Sequence, residues 1–107
     1  MKTWFDYFDT DPFELIGRYI EDAMGCRKIL HMQRLDWEYV DWLSEVEQCN
    51  MAQFFKDNDD VYRSEDGDYN DFMMGCIKTA YLRREKKGLP RPAWCPAADP
   101  HELFDID

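Results

Sequence analysis

The chain has 107 residues, which suits one domain, and carries 23 acidic against 13 basic residues for a net charge of −10. At this length, folding buries roughly two thirds of the unfolded surface, enough for one hydrophobic core. The negative field repels duplex nucleic acid and anionic membranes and attracts basic partners.

The first predicted helix spans residues 12–24. Asp11 is suited to cap it, Pro12 to its first turn, and Glu14 to a capping box. Apolar residues then recur every three to four positions, and Gly25 is a typical residue for the helix end.

The second predicted helix spans residues 27–48 and carries one apolar stripe along its length. Glu38, Asp41 and Glu45 follow one another at i, i+3 and i+7 opposite that stripe. We therefore expect these acids on a solvent-exposed face. A rival interpretation makes CRKILHMQRL a strand, followed by a new helix that Asp36 caps.

Trp37 lies off the main stripe of this second helix, on neither the core side nor the acidic side. The spacing therefore predicts a side chain that faces a partner or is covered by the C-terminal tail. Aromatic residues dominate the energetics of many interfaces, so an exposed tryptophan would be a candidate anchor.

Two further helices are predicted, over residues 50–57 and 69–87. Asn50 is expected to cap the first and Asp68 the second, and Gly88 follows the end of the second. Asp68 and Gly88 make the last helix the one with the clearest local signals.

The tail, residues 89–107, is rich in proline, yet Trp94 and Leu103 are too apolar for a free segment. We expect it to pack back on the helices, with one last helical turn starting at Asp99. No segment alternates with period two for long enough to predict a sheet. The predicted fold is therefore all-α: a single compact domain, residues 1–107, of about four helices with an extended Pro-rich C-terminal segment packed on it.

Two glycines fall inside predicted helices, at Gly17 and Gly75. Glycine inside a helix costs about 1 kcal/mol relative to alanine. Close packing between helices is the expected compensation at both positions.

The N-terminal MKTWFDYFDTDPF lacks a long apolar segment, and no apolar run approaches the ~20 residues that span a bilayer. The four cysteines form no C-x-x-C pair, so a cytoplasmic protein with reduced thiols is predicted. Cys26, Cys49 and Cys76 are expected as small buried side chains.

The acidic stretch DNDDVYRSEDGDYNDF, residues 57–72, fails the EF-hand pattern, because Val61 and Tyr62 fall where an oxygen ligand and glycine are needed. No zinc, phosphate-binding or nucleophile motif is found in the sequence. We therefore predict no metal, no cofactor and no catalytic residue. An irregular calcium site in the stretch is the alternative left open.

Five acids of the stretch have no local structural role in the sequence, and the acidic side of the second helix adds three more. Carboxylates held outward can fill a basic groove that normally holds phosphates, with electrostatically steered association. The alternative is a soluble connector without a binding role. The predicted partner-binding residues are Asp57, Asp59, Asp60, Glu65, Asp66, Glu38, Asp41, Glu45, Trp37 and Tyr62.

The predicted function is that of a small acidic inhibitor, not an enzyme, that occludes a basic nuclease or nucleic-acid-binding protein. In composition it is similar to immunity proteins against toxins and to phage inhibitors of defence nucleases. One alternative is a helical adaptor or homo-oligomer subunit. Another is a DNA-binding regulator using residues 78–91. Its bases Arg83, Arg84, Lys86 and Lys87 are instead expected to complement the helix C-terminus, to pair with the acidic segment or to be solvated.

Overall fold

The fold combines one β-hairpin with four helices in the part of the chain that the computed structural model describes, residues 4–62, 67–104 and 106. The elements in chain order are a 3-10 turn (Trp4–Asp6), β1 (Leu15–Glu21), β2 (Arg27–Gln33), α1 (Arg34–Glu47), α2 (Met51–Val61), α3 (Tyr69–Lys86) and α4 (Pro100–Leu103). The architecture is therefore α+β, and the all-α prediction is wrong at the hairpin.

The helix predicted over residues 12–24 is wrong, since most of this segment forms β1. Ile16 and Ile20, four residues apart, share a side in a helix and also in a strand, so their spacing does not separate the two. The capping signal serves a turn instead, in which the Phe13 N–H donates to Asp11 Oδ1 at 2.9 Å.

The helix predicted over residues 27–48 is correct only for its second part. Residues 27–33 form β2 and residues 34–47 form α1, as in the rival interpretation. Gln33, and not Asp36, stands at the N-cap of α1, and its side chain makes no capping hydrogen bond.

The inner face of the hairpin forms one wall of the core. Leu30 and Met32 are fully buried, whereas Ile29 and His31 are exposed. This alternation is masked in the sequence because Ile29, an apolar residue, occupies an outward position. The core is completed by Trp37, Tyr39, Val40 and Leu43 from α1, Met51 and Phe55 from α2, and Met73 and Ile77 from α3.

The predictions for α2 and α3 are confirmed in their starts. Asn50 caps α2 by accepting the N–H of Ala52, although α2 continues to Val61, beyond the predicted end. Asp68 caps α3 as predicted, and Gly88 follows it at φ 73°. Local capping chemistry was therefore sufficient to predict where α2 and α3 begin and where α3 ends.

The tail packs back on the body of the molecule, as predicted. Trp94 meets Trp4 edge-on with ring centroids 5.0 Å apart. Asp99 caps α4, the expected last turn. Arg84 is buried beneath this region, where its guanidinium pairs with Glu47 and fixes the end of α3 against α1.

The two glycines expected to sit at close helix contacts behave differently. At Gly17, in β1, an added Cβ would lie 2.9 Å from Ile29 Cδ1 and 3.0 Å from His31 Nε2, so the packing is close but belongs to the hairpin. At Gly75 an added Cβ meets no described atom within 4 Å, so the packing expectation is wrong there.

The burial expected for three cysteines is wrong for two of them. Cys26 and Cys49 are exposed and Cys76 is half-buried, and all four cysteines of the chain are free thiols. Burial raises the pKa of the Cys76 thiol. In the described part of the chain, no helix combines the length and apolar character needed to cross a bilayer.

Candidate functional site

The acidic stretch begins on the last turns of α2, and its carboxylates point in different directions. Asp57 and Asp60 are exposed, whereas Asp59 is half-buried and turned towards the hairpin. Glu65 and Asp66 lie outside the described residues. The stretch is therefore not a uniform acidic surface.

Asp59 joins α2 to the hairpin turn. Its Oδ2 accepts the backbone N–H of Ala23 at 3.0 Å, and its Oδ1 accepts Lys28 Nζ at 3.0 Å. The same ammonium lies 3.8 Å from Asp22 Oδ2 and 4.3 Å from the centroid of the Tyr69 ring. This junction links the hairpin with α2 and α3.

Burial favours a raised pKa at Asp59, but the hydrogen bonds from Ala23 and Lys28, together with the nearby Tyr69 hydroxyl, outweigh it, so the pKa of Asp59 lies below its usual range. Burial and the nearby Asp59 carboxylate in turn raise the pKa of Tyr69. Asp59 is thus an ionised structural group, engaged inside the chain and poorly placed to meet a partner.

The acidic side of α1 is only partly open. Asp41 and Glu45 are exposed and Glu38 is half-buried. Asp41 pairs with Arg18 Nη1 at 3.2 Å. Glu38 and Glu45 form no ion pair with any residue that the structure describes.

Trp37 is a core residue, so the expectation that it lies off the core is wrong. Only 4% of its surface is exposed, and its indole Nε1 donates to the carbonyl of Ile16 at 2.8 Å. Phe55 packs edge-on at 6.0 Å, and the Arg18 guanidinium lies 4.6 Å from the ring centroid. The unpredicted hairpin, and not the tail, covers this side chain.

Tyr62 is half-buried where α2 ends. Its hydroxyl donates to the carbonyl of Gly67, and its ring packs against Tyr69 and Phe72 at centroid distances of 5.1 and 5.2 Å. Its ring therefore joins an aromatic cluster at the start of α3 and is not a free-standing anchor.

The outer face of the hairpin is an exposed apolar surface that the sequence did not reveal. Tyr19 is 66% exposed, Leu15 65% and Ile29 45%, and Tyr19 stands opposite Ile29 across the two strands. The Arg27 guanidinium lies 4.3 Å from the centroid of the Tyr19 ring. Period-two alternation was the missed signal, because the segment matched a helix equally well.

One edge of the hairpin is open. The N–H of Asp22 donates to the carbonyl of Cys26, and the N–H of Arg34 donates to the carbonyl of Glu14. Because hydrogen-bonded and non-hydrogen-bonded pairs alternate along an antiparallel ladder, the even-numbered residues of β1 are those whose backbone groups bond to β2. The backbone groups of Gly17 and Tyr19 therefore point away from β2, and no described residue hydrogen-bonds to them there. On the opposite edge, His31 N–H donates to Asn70 Oδ1 at 2.9 Å.

A cavity of about 670 Å³ lies between β1, α1 and α2. Its rim carries two ion pairs, Arg18 with Asp41 and Lys56 with Glu21, the latter at 3.0 Å. Within residues 4–62, 67–104 and 106, no three His, Cys, Asp or Glu side chains converge to hold a metal ion.

The bases of residues 78–91 are largely engaged within the chain. The contacts are Lys78 with Glu102 at 3.2 Å, Arg91 with Glu85 at 3.3 Å, Arg84 with Glu47, and Lys86 with the carbonyl of Ile106. Of the four bases expected to pair with the acidic stretch, Arg84 and Lys86 are engaged within the chain but with partners outside that stretch. Arg83 and Lys87 form no ion pair with a residue that the structure describes.

Comparison of the chain with protein-family models, with curated proteins and with solved structures finds no match. Function is therefore inferred from the geometry and charge of this chain alone.

Proposed function

We propose that this chain is a small acidic protein of the cytoplasm that binds a basic protein and occludes its surface. The proposed partner is a nuclease or another nucleic-acid-binding protein. The observation that carries the proposal is a set of outward carboxylates without ion pairs in the described structure: Glu38 and Glu45 on α1 and Asp57 on α2.

The distribution of ion pairs supports an outward excess of negative charge. Lys28 is held at the hairpin junction, Arg84 is buried with Glu47, and Arg18 pairs with Asp41. Bases such as these already pair with acids inside the chain or at the rim of the cavity, so they do not neutralise the negative charge of the outward carboxylates. A surface of this kind attracts a protein whose basic groove normally binds phosphates.

The hairpin supplies the aromatic component that Trp37 was expected to provide. Tyr19 is exposed opposite Ile29, on the face of the hairpin that also carries Leu15, and the Arg27 guanidinium lies over its ring. Exposed apolar residues that share one face often mark interaction surfaces, and tyrosine is enriched among residues that dominate binding energy. We include Tyr19 in the proposed docking surface in place of Trp37.

Inhibition would be steric and electrostatic, with no reaction carried out by this chain. Carboxylates pairing with guanidinium groups would fix orientation as well as charge. Because exposed charges separated by more than about 10 Å are screened at 0.1 M salt, association should slow as the salt concentration rises.

The test uses the fraction of a source-cell extract that binds heparin, which contains nucleases and other nucleic-acid-binding proteins. Adding the purified chain is expected to lower a nuclease or DNA-binding activity of this fraction. The immobilised chain should retain the protein responsible, identified by mass spectrometry. The proposal is contradicted if every such activity is unchanged, or if the chain itself binds duplex DNA at about 50 mM salt.

Matched charge reversals then locate the surface. Glu45→Lys and Asp57→Lys are each expected to slow association with the captured protein roughly threefold or more at low salt. Asp9→Lys, the same change at an exposed acid of the N-terminal segment, is the control and should have a smaller effect. Equal effects at all three positions would mean that these acids act only through the net charge of the chain and do not form the docking surface.

A further inference from the structure

A second candidate surface lies between α2 and α3. It is a groove of about 490 Å³, lined on the α3 side by the half-buried Phe72, Cys76 and Ala80 and on the α2 side by Phe54. Other residues of α3, Met73 and Ile77, are buried in the core of the same chain. A helix that is apolar on more than one side is typical of one that packs on more than one side.

The outer lip of this groove is a row of four residues at intervals of four along α3: Asp71, Gly75, Thr79 and Arg83. Residues four apart are neighbours on the surface of a helix, and such a row forms a ridge that is inclined to the helix axis. An added Cβ at Gly75 would meet no described atom within 4 Å, so the middle of the row has room for another backbone. Thr79 Oγ1 donates to the carbonyl of Gly75 at 2.9 Å, which leaves no hydroxyl unsatisfied there.

The charges at the two ends of the row are self-complementary. Asp71 and Arg83 each lie six residues from Ile77, about 9 Å along the axis at 1.5 Å per residue. Within the described ranges neither of them forms an ion pair. An antiparallel copy of α3, related by a two-fold axis on the groove side at the height of Ile77, places each Asp71 opposite the Arg83 of the other copy.

We propose that two copies of this chain associate through this groove, with their α3 helices antiparallel. The contact is isologous: it forms two equivalent ion pairs, sets Gly75 of each copy against Thr79 of the other, and covers Phe72, Cys76 and Ala80. Such close approach of helices, at 8–10 Å between axes, suits small residues at the crossing. The dimer does not depend on the proposed inhibition, since it uses none of the acids assigned to the basic partner.

Sedimentation velocity of the full chain over at least a hundredfold range of concentration tests the association. The mass is expected to rise from 12.9 kDa to about twice that value as concentration increases. A mass of one chain at every concentration overturns the proposal.

Three variants test the geometry. Arg83→Asp is expected to weaken dimerisation about tenfold or more, because both symmetry-related pairs become repulsive. Gly75→Leu should also weaken dimerisation, because the leucine side chain fills the groove. Leucine favours the helix more than glycine does, so α3 itself should be retained. The double exchange Asp71→Arg with Arg83→Asp should restore association, because the two-fold axis pairs the exchanged charges again.

Lys87→Asp is the matched control, since it makes the same charge change at an exposed residue just past α3. It should leave the dimer within about twofold of the original. Circular dichroism of each variant distinguishes lost association from lost folding. A dimer unaffected by both Arg83→Asp and Gly75→Leu would use another surface and overturn the proposal.

Discussion

The junction between α2 and the hairpin turn and the outward side of α1 both carry carboxylates, but these carboxylates have different surroundings. At the junction, Asp59 accepts hydrogen bonds from Ala23 and Lys28. On α1, Glu45 is exposed and has no ion-pair partner in the described structure. Neutralising a residue of the first kind should cost stability, whereas neutralising one of the second should affect only binding. The number of acids in a segment therefore does not identify a docking surface.

The largest expected effect is at the junction. Asp59→Asn should lower the free energy of unfolding by about 2 kcal/mol, because hydrogen bonds to a charged, half-buried group are lost or weakened. Urea denaturation at neutral pH measures the change. Asp57→Asn, two residues earlier and exposed, is the control and should change stability by less than about 0.5 kcal/mol. Equal losses in the two variants would remove the distinction between the regions.

The contribution of Asp59 should also depend on pH in a defined direction. Its pKa in the folded chain lies below the usual value, since the hydrogen bonds from Ala23 and Lys28 and the nearby Tyr69 hydroxyl outweigh the effect of burial. The stabilisation is therefore fully present above about pH 5, where Asp59 is ionised in both states, and is lost as pH falls through the folded pKa. The stability difference between the original chain and Asp59→Asn should shrink on acidification, as measured by urea denaturation at several pH values. A difference that grew on acidification would contradict this assignment.

A double-mutant cycle sharpens the comparison further. Lys28→Met and Asp59→Asn should couple by about 1 kcal/mol, because the two side chains share one hydrogen bond and ion pair. The cycle is measured from the unfolding free energies of the two single variants and the double variant. Additive losses would mean that Lys28 acts mainly through Asp22 and the Tyr69 ring.

The smallest effect is expected on α1. Glu45→Gln should leave the unfolding free energy unchanged within about 0.5 kcal/mol, since the side chain is exposed and outside any ion pair of the described structure. The same denaturation experiment measures it. A loss comparable to that of Asp59→Asn would show that Glu45 has a structural role.

The parts of the fold that follow from local chemistry were predictable. Asp68 and Gly88 mark the ends of α3 through a capping side chain and a positive φ, both of which act within a few residues. The hairpin was not predictable in this way, because Ile16 and Ile20 fit either element and the choice is made by pairing with a second strand.

The candidate site was predictable only in its overall charge. Asp57 and Asp59 look equivalent in the sequence. They differ in the structure because Asp59 accepts the N–H of Ala23, which lies 36 positions before it along the chain. Trp37 was misplaced for a related reason: the carbonyl of Ile16 and the side chain of Arg18, both from the unrecognised β1, cover it. Contacts between distant segments decide the role of each of these side chains.

The open edge of β1 has a consequence for solubility. Exposed strand edges can pair with other molecules and lead to aggregation, and this edge lies beside the exposed Leu15 and Tyr19. At neutral pH the net charge of −10 keeps molecules apart. Near the isoelectric point of about 4.5 that repulsion disappears, so mildly acidic solutions are where this chain should precipitate through added strands.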